Sequence, residues 1–424
     1  MLNLDFVCQH PQIVREALRK RHDARTIDDI LQLASQRRAY ATECDGFYVE
    51  LKALKGQISA VPIAERDLFN VRVKVMSEEI RRCELQIADR DSRLHFLLLN
   101  LPNIPHSSVP FGAANDPDEE IHRWGERATF YFDPQAHWDV GTHLGMLDIE
   151  RGSRIAGSRF VLLKGMGARL ERALITFMLD VHTRQHDYTE ILPPQLVNRA
   201  AMFSAGQFPK FEDQVYQCTD ELYLNPTAEV PLVGMHAGDI FAEGELPLRY
   251  VSWTTAYRRE AGSSSRQTRG LLRLHQFNKV ELFQYVAPSE SYGALSQMLQ
   301  HAETILQQLE LSYRVVALNS AHLPFSAAKT FDIEVWMPAQ HEYVEVSSVS
   351  NCEAFQAQRA CIKYRAGKHA HAHYVHTLNG SGLAVGRTMA AILETYQQAD
   401  GSVVVPKVLR PYMQTSLLVP SDNA

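Results

Sequence analysis

The chain has 424 residues, 45% of them apolar and 22% charged, a balance that suits two or three globular domains whose cores need no disulfide or metal staple. Its 43 Lys/Arg against 49 Asp/Glu leave a net charge of −6, which excludes a wholesale basic nucleic-acid coat but not a local basic surface. The six cysteines (Cys8, Cys44, Cys83, Cys218, Cys352, Cys361) form no C-x-x-C pair, the N-terminus lacks the pattern of a secretory signal, and the longest apolar run, at 97–99, is far too short for a membrane helix; a reduced, soluble, cytoplasmic protein without membrane contact is expected.

Two heptad seams dominate the first hundred residues. Steps of three and four from Ile27 read Ile30, Ala34, Arg37, Ala41, Cys44, Tyr48, Leu51, Lys55 and Ile58; the same walk from Val73 reads Met76, Ile80, Cys83, Ile87, Arg90, Leu94 and Leu97. Such spacing predicts two long helices. Between them, residues 60–67 contain Pro62 as a breaker and Asp67 as a candidate N-cap. The expected shape is an antiparallel coiled-coil hairpin about 45 Å long at 1.5 Å per residue. A hairpin encloses no pocket, so it serves as a dimerisation or spacer arm, or as a nucleic-acid-binding arm. From 15 to 93 it carries 16 Lys/Arg against 14 Asp/Glu, and an excess of two supports the second role only weakly.

Prolines at 102, 105 and 110 mark a linker and a domain boundary, with an N-terminal domain over 1–105 and a second over 106–424. An acidic loop follows at 116–120. Helical stretches are expected at 166–186 and 289–309, and strands at 249–253, 280–286, 313–318, 331–336 and 343–348. Hairpin-like neighbours outnumber β-α-β units, so the second domain is expected to be α+β, with a largely antiparallel sheet flanked by helices.

The sequence has no Walker P-loop, no Rossmann glycine fingerprint, no nucleophile elbow and no H-E-x-x-H. Any ATP must therefore be held by arginines and a metal on another scaffold. One segment could hold phosphates in this way. Residues 257–282 read as strand, long polar loop and strand, with Arg258, Arg259, Arg266, Arg269 and Arg273 crowded among small residues. A salt-bridged surface hairpin is the plainer reading of the same residues. A second segment runs from Asn379 through Gly380, Ser381 and Gly382 into an amphipathic helix with Arg387 in its first turns; a tightly packed helix start explains its small residues equally well.

Together these segments resemble motifs 2 and 3 of class II aminoacyl-tRNA synthetases, and the details narrow the resemblance to the seryl-tRNA synthetase family of bacterial type. Thr227-Ala228-Glu229, Arg258-Arg259-Glu260-Ala261-Gly262-Ser263, Thr268-Arg269-Gly270, His275-Gln276-Phe277, Glu345-Val346-Ser347-Ser348, Asn379-Gly380-Ser381-Gly382-Leu383-Ala384 and Arg410-Pro411-Tyr412-Met413 match that family's pattern in order. The strand motif around Pro194 and the coiled-coil arm belong to the same pattern, so the likeness covers essentially the whole chain.

The resemblance implies a class II catalytic domain that converts L-serine and ATP to seryl-adenylate and pyrophosphate, then esterifies the terminal adenosine of tRNA(Ser); it leaves tRNA(Sec) open as a second acceptor. A carboxylate attacking an α-phosphate needs charge neutralisation more than a protein base. By resemblance, Arg258 and Arg387 are the catalytic cations: Arg258 holds the α-phosphate and serine carboxylate, and Arg387 the γ-phosphate, against the adenine. Phe277 stacks on the other adenine face, Glu260 accepts from its amino group, and Arg259, Val346 and Ser347 belong to the same ATP site. Glu345 and Ser348 match the Mg²⁺ ligands, with no zinc implied; carboxylate and hydroxyl oxygens suit that cation. Thr227, Ala228, Glu229, Arg258, Glu281 and Ser381 match the serine-contacting positions. The family also implies a homodimer whose arm reaches across to the long variable arm of tRNA(Ser), while the motif 2 loop meets the acceptor end.

Three positions depart from the pattern: Gln267 replaces an acidic residue, Gln358 an arginine, and Val344 stands where an arginine is common. The run containing His369, His371 and His373 resembles a metal site, since alternate residues share a strand face, but a solvated loop is the stronger reading. Two other functions remain compatible with the sequence. One is a paralogue that loads serine on another acceptor, against which the complete arm argues. The other is an inactive homologue, against which Arg258, Glu260, Glu345, Ser381 and Arg387 argue.

Overall fold

The computed structural model describes residues 1–57, 62, 66–261 and 269–420. Ile58 of the first seam, residues 60, 61 and 63–65 of the turn, and Gly262, Ser263, Arg266, Gln267 and Thr268 of the charged hairpin lie outside the described residues.

Helix α1 (Leu4–Gln9) starts where the Asn3 side chain accepts from the amides of Asp5 and Phe6, and α2 (Pro11–Lys20) starts with proline at its first position. The two long seams then fold as α3 (Asp28–Gln57) and α4 (Arg66–Leu99). Cys44 and Cys83, both on the seams, meet Leu51 and Ile80 in a buried strip flanked by Tyr40, Phe47, Val73, Met76 and Ile87. The basic interruptions are resolved locally. The Arg37 Nε lies 2.6 Å from Asp91 Oδ1 across the hairpin, and the Arg90 guanidinium sits 5.1 Å from the Tyr40 ring centre. Tyr48, on the strict walk, is half exposed and donates to Glu84 at 2.6 Å, whereas Leu33 and Leu54, off the walk, are buried. A repeat of 3.6 rather than 3.5 residues per turn moves the seam sideways along a long helix. Exposed ion pairs of this kind contribute at most about 1 kcal/mol, so the apolar strip carries the hairpin.

The chain divides into two compact units, Met1–Pro102 and Asn103–Ala424. Asn103 already belongs to the second: its side-chain amide donates to the carbonyls of Ser326 (2.8 Å) and Cys352 (2.9 Å).

The second unit is built on an eight-stranded sheet. Its strands in chain order are β1 (Glu119–Trp124), β2 (Thr189–Glu190), β3 (Leu248–Tyr257), β4 (Gln276–Val286), β5 (Tyr313–Ala317), β6 (Lys329–Met337), β7 (Glu342–Glu353) and β8 (His376–Ala384). They lie in the order β1-β5-β6-β7-β8-β4-β3-β2, and every neighbouring pair is antiparallel except β2 with β3. The antiparallel sheet expected from the hairpin-like runs is therefore present. Helices α5 (Met166–Gln185), α6 (Glu229–Gly234), α7 (Ser291–Gln308) and α8 (Val385–Thr395) complete the frame.

Alternation along β4 explains how one strand serves a core and a site. Val280 and Leu282 enter the large core formed with α5, α7 and α8, while Phe283 and Tyr285 enter a second core with Phe208, Tyr223 and Val233. Side chains two apart share a strand face. Glu281 and Lys279 thus continue the Phe283–Tyr285 face toward the end of the strand, where polar residues replace aromatic ones.

Two glycines are dictated by close approach. Gly270 has φ +72°, and a Cβ there would lie 2.2 Å from His137 Nε2. That nitrogen accepts from the Leu271 amide at 3.0 Å, while His137 Nδ1 donates to the buried Glu394 carboxylate at 2.9 Å. At Gly382 a Cβ would meet His182 Nε2 at 2.6 Å; the same nitrogen donates to the Gly382 carbonyl at 3.0 Å. Burial pulls the His182 imidazole down to about 3, so it stays neutral and holds its position beside Ser381.

Candidate active site

A cavity of about 720 Å³ opens on the polar end of the β4 face. Of the residues expected at the site, Thr227, Glu229, Arg258, Glu260, Phe277, Glu345, Val346, Ser348, Ser381 and Arg387 line it. Glu281 lies at its floor, fully buried and hydrogen-bonded to the lining residue Thr227. Ala228 is buried, Arg259 turns its guanidinium to the Asp213 carbonyl, and Ser347 donates to the Ser381 carbonyl at 2.6 Å; these three do not line it. For Ser347 the reason is strand geometry, since β7 bulges at Val346, opposite Ile333 and Glu334 of β6, so that Val346 shares the cavity with Glu345 while Ser347 turns its hydroxyl to the Ser381 carbonyl.

The floor is a buried carboxylate pair. Glu281 Oε2 accepts from the Thr227 hydroxyl at 2.8 Å and is in contact with the Lys279 ammonium, while Oε1 has no hydrogen-bond partner. Ser381 of β8 sits directly opposite Glu281 of β4 in the antiparallel pair. Glu229 receives the Gln356 amide, and Gln356 is fixed in turn by the Thr377 hydroxyl and the Ala205 carbonyl. Burial and the neighbouring Glu281 push the Glu229 carboxyl up to about 7, against Lys279, Gln356 and Arg258, which favour its ionised form. One unsatisfied carboxylate oxygen and one carboxyl poised near neutrality suit a small ligand that brings an ammonium and a hydroxyl.

Cations and an aromatic ring form the next part. The Arg258 amide donates to the His275 carbonyl at 2.9 Å, which closes the base of the charged hairpin, and its Nε donates to the Pro226 carbonyl at 3.2 Å. This guanidinium is exposed to the cavity, and desolvation on its protein side pulls its pKa down, with Glu260 opposing. It lies 5.3 Å from the Phe277 ring centre. Glu260, at φ +49°, accepts from Arg273. Arg387 enters from the first turn of α8, donating to the carbonyls of Leu272 (3.1 Å) and Glu345 (2.6 Å), with Glu345 Oε2 at 3.3 Å. Arginines anchored around an aromatic face and open to a cavity can hold phosphates and a purine.

A third part lies on β6 and β7, where Asp332 pairs with Ser348 and Glu334 with Glu345 across the strands. Asp332 Oδ1 is buried without a partner. Its carboxyl is pushed well up, by burial first and by Glu345 second, and Ser348 donates a hydrogen bond to it. Glu334 is raised by burial, with Arg314 opposing.

Lys279, Gln356, Asp332 and Glu334 were not singled out in the sequence; Arg273 was, among the arginines of the charged hairpin, but without its partner Glu260. The period-two run Phe277, Lys279, Glu281 was a signal for the first; nothing local distinguished Gln356 or Asp332. His369, His371 and His373 are exposed, and among the described residues no group of three or more His, Cys, Asp or Glu is arranged to hold a metal.

This sheet, with its arginine-lined cavity, is the catalytic core of a class II aminoacyl-tRNA synthetase: the family described as tRNA synthetase class II core domain (G, H, P, S and T) matches residues 210–396. A second family, the seryl-tRNA synthetase N-terminal domain, matches residues 1–105. The serine–tRNA ligase of Geobacillus kaustophilus is 48% identical over 428 residues, covering 97% of this chain and 98% of that protein. The seryl-tRNA synthetase of Pyrococcus horikoshii, solved with ATP, superposes with a TM-score of 0.94 at 33% identity over the full length of both chains. The cytoplasmic serine–tRNA ligase of Naegleria fowleri, solved with AMP, gives 0.88 at 26% identity, over 100% of this chain and 99% of that one. The chain belongs to the seryl-tRNA synthetase family, ATP-dependent ligases that join serine to tRNA.

Proposed function

We propose that the cavity forms seryl-adenylate on Arg258, Arg387 and the Glu229–Glu281 floor, and that the same site then passes serine to tRNA(Ser). The observation that carries this reading is the unpartnered Glu281 Oε1 beside Thr227 and Ser381, a buried acceptor waiting for a donor. The serine ammonium binds Glu229 in its ionised form, and the hydroxyl satisfies Glu281. Alanine leaves that oxygen unmet and is rejected; threonine is rejected by the closeness of the walls.

The serine carboxylate oxygen attacks the α-phosphorus, the bond to pyrophosphate breaks, and Arg258 and Arg387 neutralise charge on the phosphates throughout. Phe277 and Arg387 sandwich the adenine, and Glu260 accepts from its amino group. In the second step a ribose hydroxyl of the terminal adenosine attacks the serine carbonyl carbon and AMP leaves. Glu345 and Ser348 would hold Mg²⁺. Beside them, the orphaned Asp332 Oδ1 is a buried acceptor that suits a cation or its water shell. Held there, the ion would supply charge neutralisation on the ATP phosphates. The arm formed by α3 and α4 takes the variable arm of the tRNA, within a cytoplasmic homodimer. In support of that compartment, all six cysteines are free. Among the described residues no helix is long and apolar enough to cross a membrane.

Replacing Glu281 with alanine raises the KM for serine at least tenfold in pyrophosphate exchange and leaves the KM for ATP within about twofold; an unchanged serine KM removes Glu281 from the pocket. Acidity has a second expected effect. Because Glu229 must be ionised to bind the ammonium and its carboxyl titrates at about 7 in the folded protein, serine binding below that pH must expel a proton. The serine KM therefore rises as pH falls from 7 to 6, toward a limit of about tenfold per unit for one proton. In Glu229→Gln the KM is high at all pH values and this slope is lost.

A further inference from the structure

Part of the cavity wall is built from residues to which the proposed adenylate formation assigns no role. Gly206, Gln207 and Phe211 line it from one segment, and Pro324, Phe325 and Ser326 from another. The rings of Phe211 and Phe325 meet edge to face, 6.4 Å apart. The Lys210 ammonium lies 5.4 Å from the first ring centre and 4.8 Å from the second, and Arg359 lies 5.7 Å from Phe325 on its own account.

This wall connects two functional regions. At one end, the Gln356 amide that binds the Glu229 carboxylate also donates to the Ala205 carbonyl, so the segment starts beside the serine floor. At the other, Gln214 accepts from the Arg259 amide through its carbonyl (2.9 Å) and from the Ala261 amide through its side chain (3.1 Å), so the segment ends at the root of the charged hairpin. Phe277, Glu260 and Arg387 make a separate purine site, and that site stays filled by the adenylate during the second step.

We infer that the Lys210–Phe211–Phe325 wall receives the terminal adenosine of the acceptor end while serine is transferred. The inference rests on the reading that the cavity makes seryl-adenylate. A single-stranded nucleotide is held by stacking on an aromatic face and by a cation near its phosphate. The wall offers both within one short segment, beside the carbonyl that must be attacked. Lys210 is exposed and presents a flexible point charge suited to a phosphate, and cation-over-ring placement keeps that charge close to the stacking surface.

The test compares Phe211→Ala, Phe211→Trp and Lys210→Ala with the unmodified chain in two assays: serine-dependent ATP–pyrophosphate exchange, and single-turnover transfer from preformed enzyme-bound seryl-adenylate to full-length tRNA(Ser). Exchange is expected to stay within twofold in all three, which also shows that they fold. Transfer is expected to fall about tenfold or more in Phe211→Ala, the loss of one stacked base, and to recover in Phe211→Trp. Lys210→Ala loses several-fold at low salt and less at high salt. Unchanged transfer in Phe211→Ala overturns the inference, as does a parallel loss of exchange and transfer, which would place the wall in adenylate formation. Absence of exchange in the unmodified chain would instead overturn the reading of the cavity itself.

Discussion

Replacing Arg258 with alanine is expected to slow serine-dependent pyrophosphate exchange about 10³-fold, the range seen when one preorganised cation or donor is removed from a developing phosphate charge. The placement supports so large an effect. The guanidinium is anchored at Nε by the Pro226 carbonyl and lies over Phe277, so in the proposed role it would meet the α-phosphate and the serine carboxylate without rearranging. Its low-dielectric surroundings on the protein side draw its pKa down, while its open side faces the cavity where the phosphates would lie. Lysine should rescue little, because a single ammonium cannot bridge two oxyanions in the plane that guanidinium provides. Melting curves of Arg258→Ala separate the effect from unfolding: the backbone amide that closes the hairpin onto His275 remains, so stability should change little. A tenfold or smaller loss would assign phosphate stabilisation elsewhere, with Arg387 the obvious candidate.

Shortening the arm is expected to have the opposite signature. If residues 41–86 are replaced by a short glycine-rich turn, the buried strip at Cys44, Leu51, Ile80 and Cys83 is lost, while Ile27, Ile30, Leu33, Leu94 and Leu98 at the base of the hairpin remain. Charging of tRNA(Ser) should fall at least 10²-fold, chiefly through the KM for tRNA, and pyrophosphate exchange should stay within twofold. An excess of only two positive charges makes shape and a few phosphate contacts the source of this affinity. The salt dependence of charging should accordingly be shallow for a nucleic-acid ligand. Normal charging by the shortened chain would reduce the arm to a spacer.

How much of this was legible in the sequence varies with the range of the interaction. Heptad spacing located α3 and α4 because a repeating apolar step is a local signal, and it missed Leu33 and Leu54 because a straight helix drifts off a strict seven-residue repeat. The strands expected at 249–253 and 280–286 proved to be the ends of longer ones, Leu248–Tyr257 and Gln276–Val286, since the polar residues that line the cavity break the apolar pattern where the strand continues. The motif residues that line the site were readable by resemblance. Their supporting partners were not: Gln356 reaches Glu229 across 127 positions, His137 reaches Glu394 across 257, and Asp332 meets Ser348 only through β6–β7 register. Such contacts depend on the folded sheet and leave no spacing in the chain. The −6 net charge was similarly uninformative, because it averages a slightly basic arm with a more acidic remainder that still places Arg258, Arg273 and Arg387 at one cavity.

Serine-dependent ATP–pyrophosphate exchange, followed in the same preparation by charging of tRNA(Ser), tests the central claim most directly. The account predicts both: exchange that requires serine and is not supported by alanine or threonine, then serine esterified to the tRNA. Exchange without charging would point to another acceptor for the activated serine, and the absence of both would contradict the account outright.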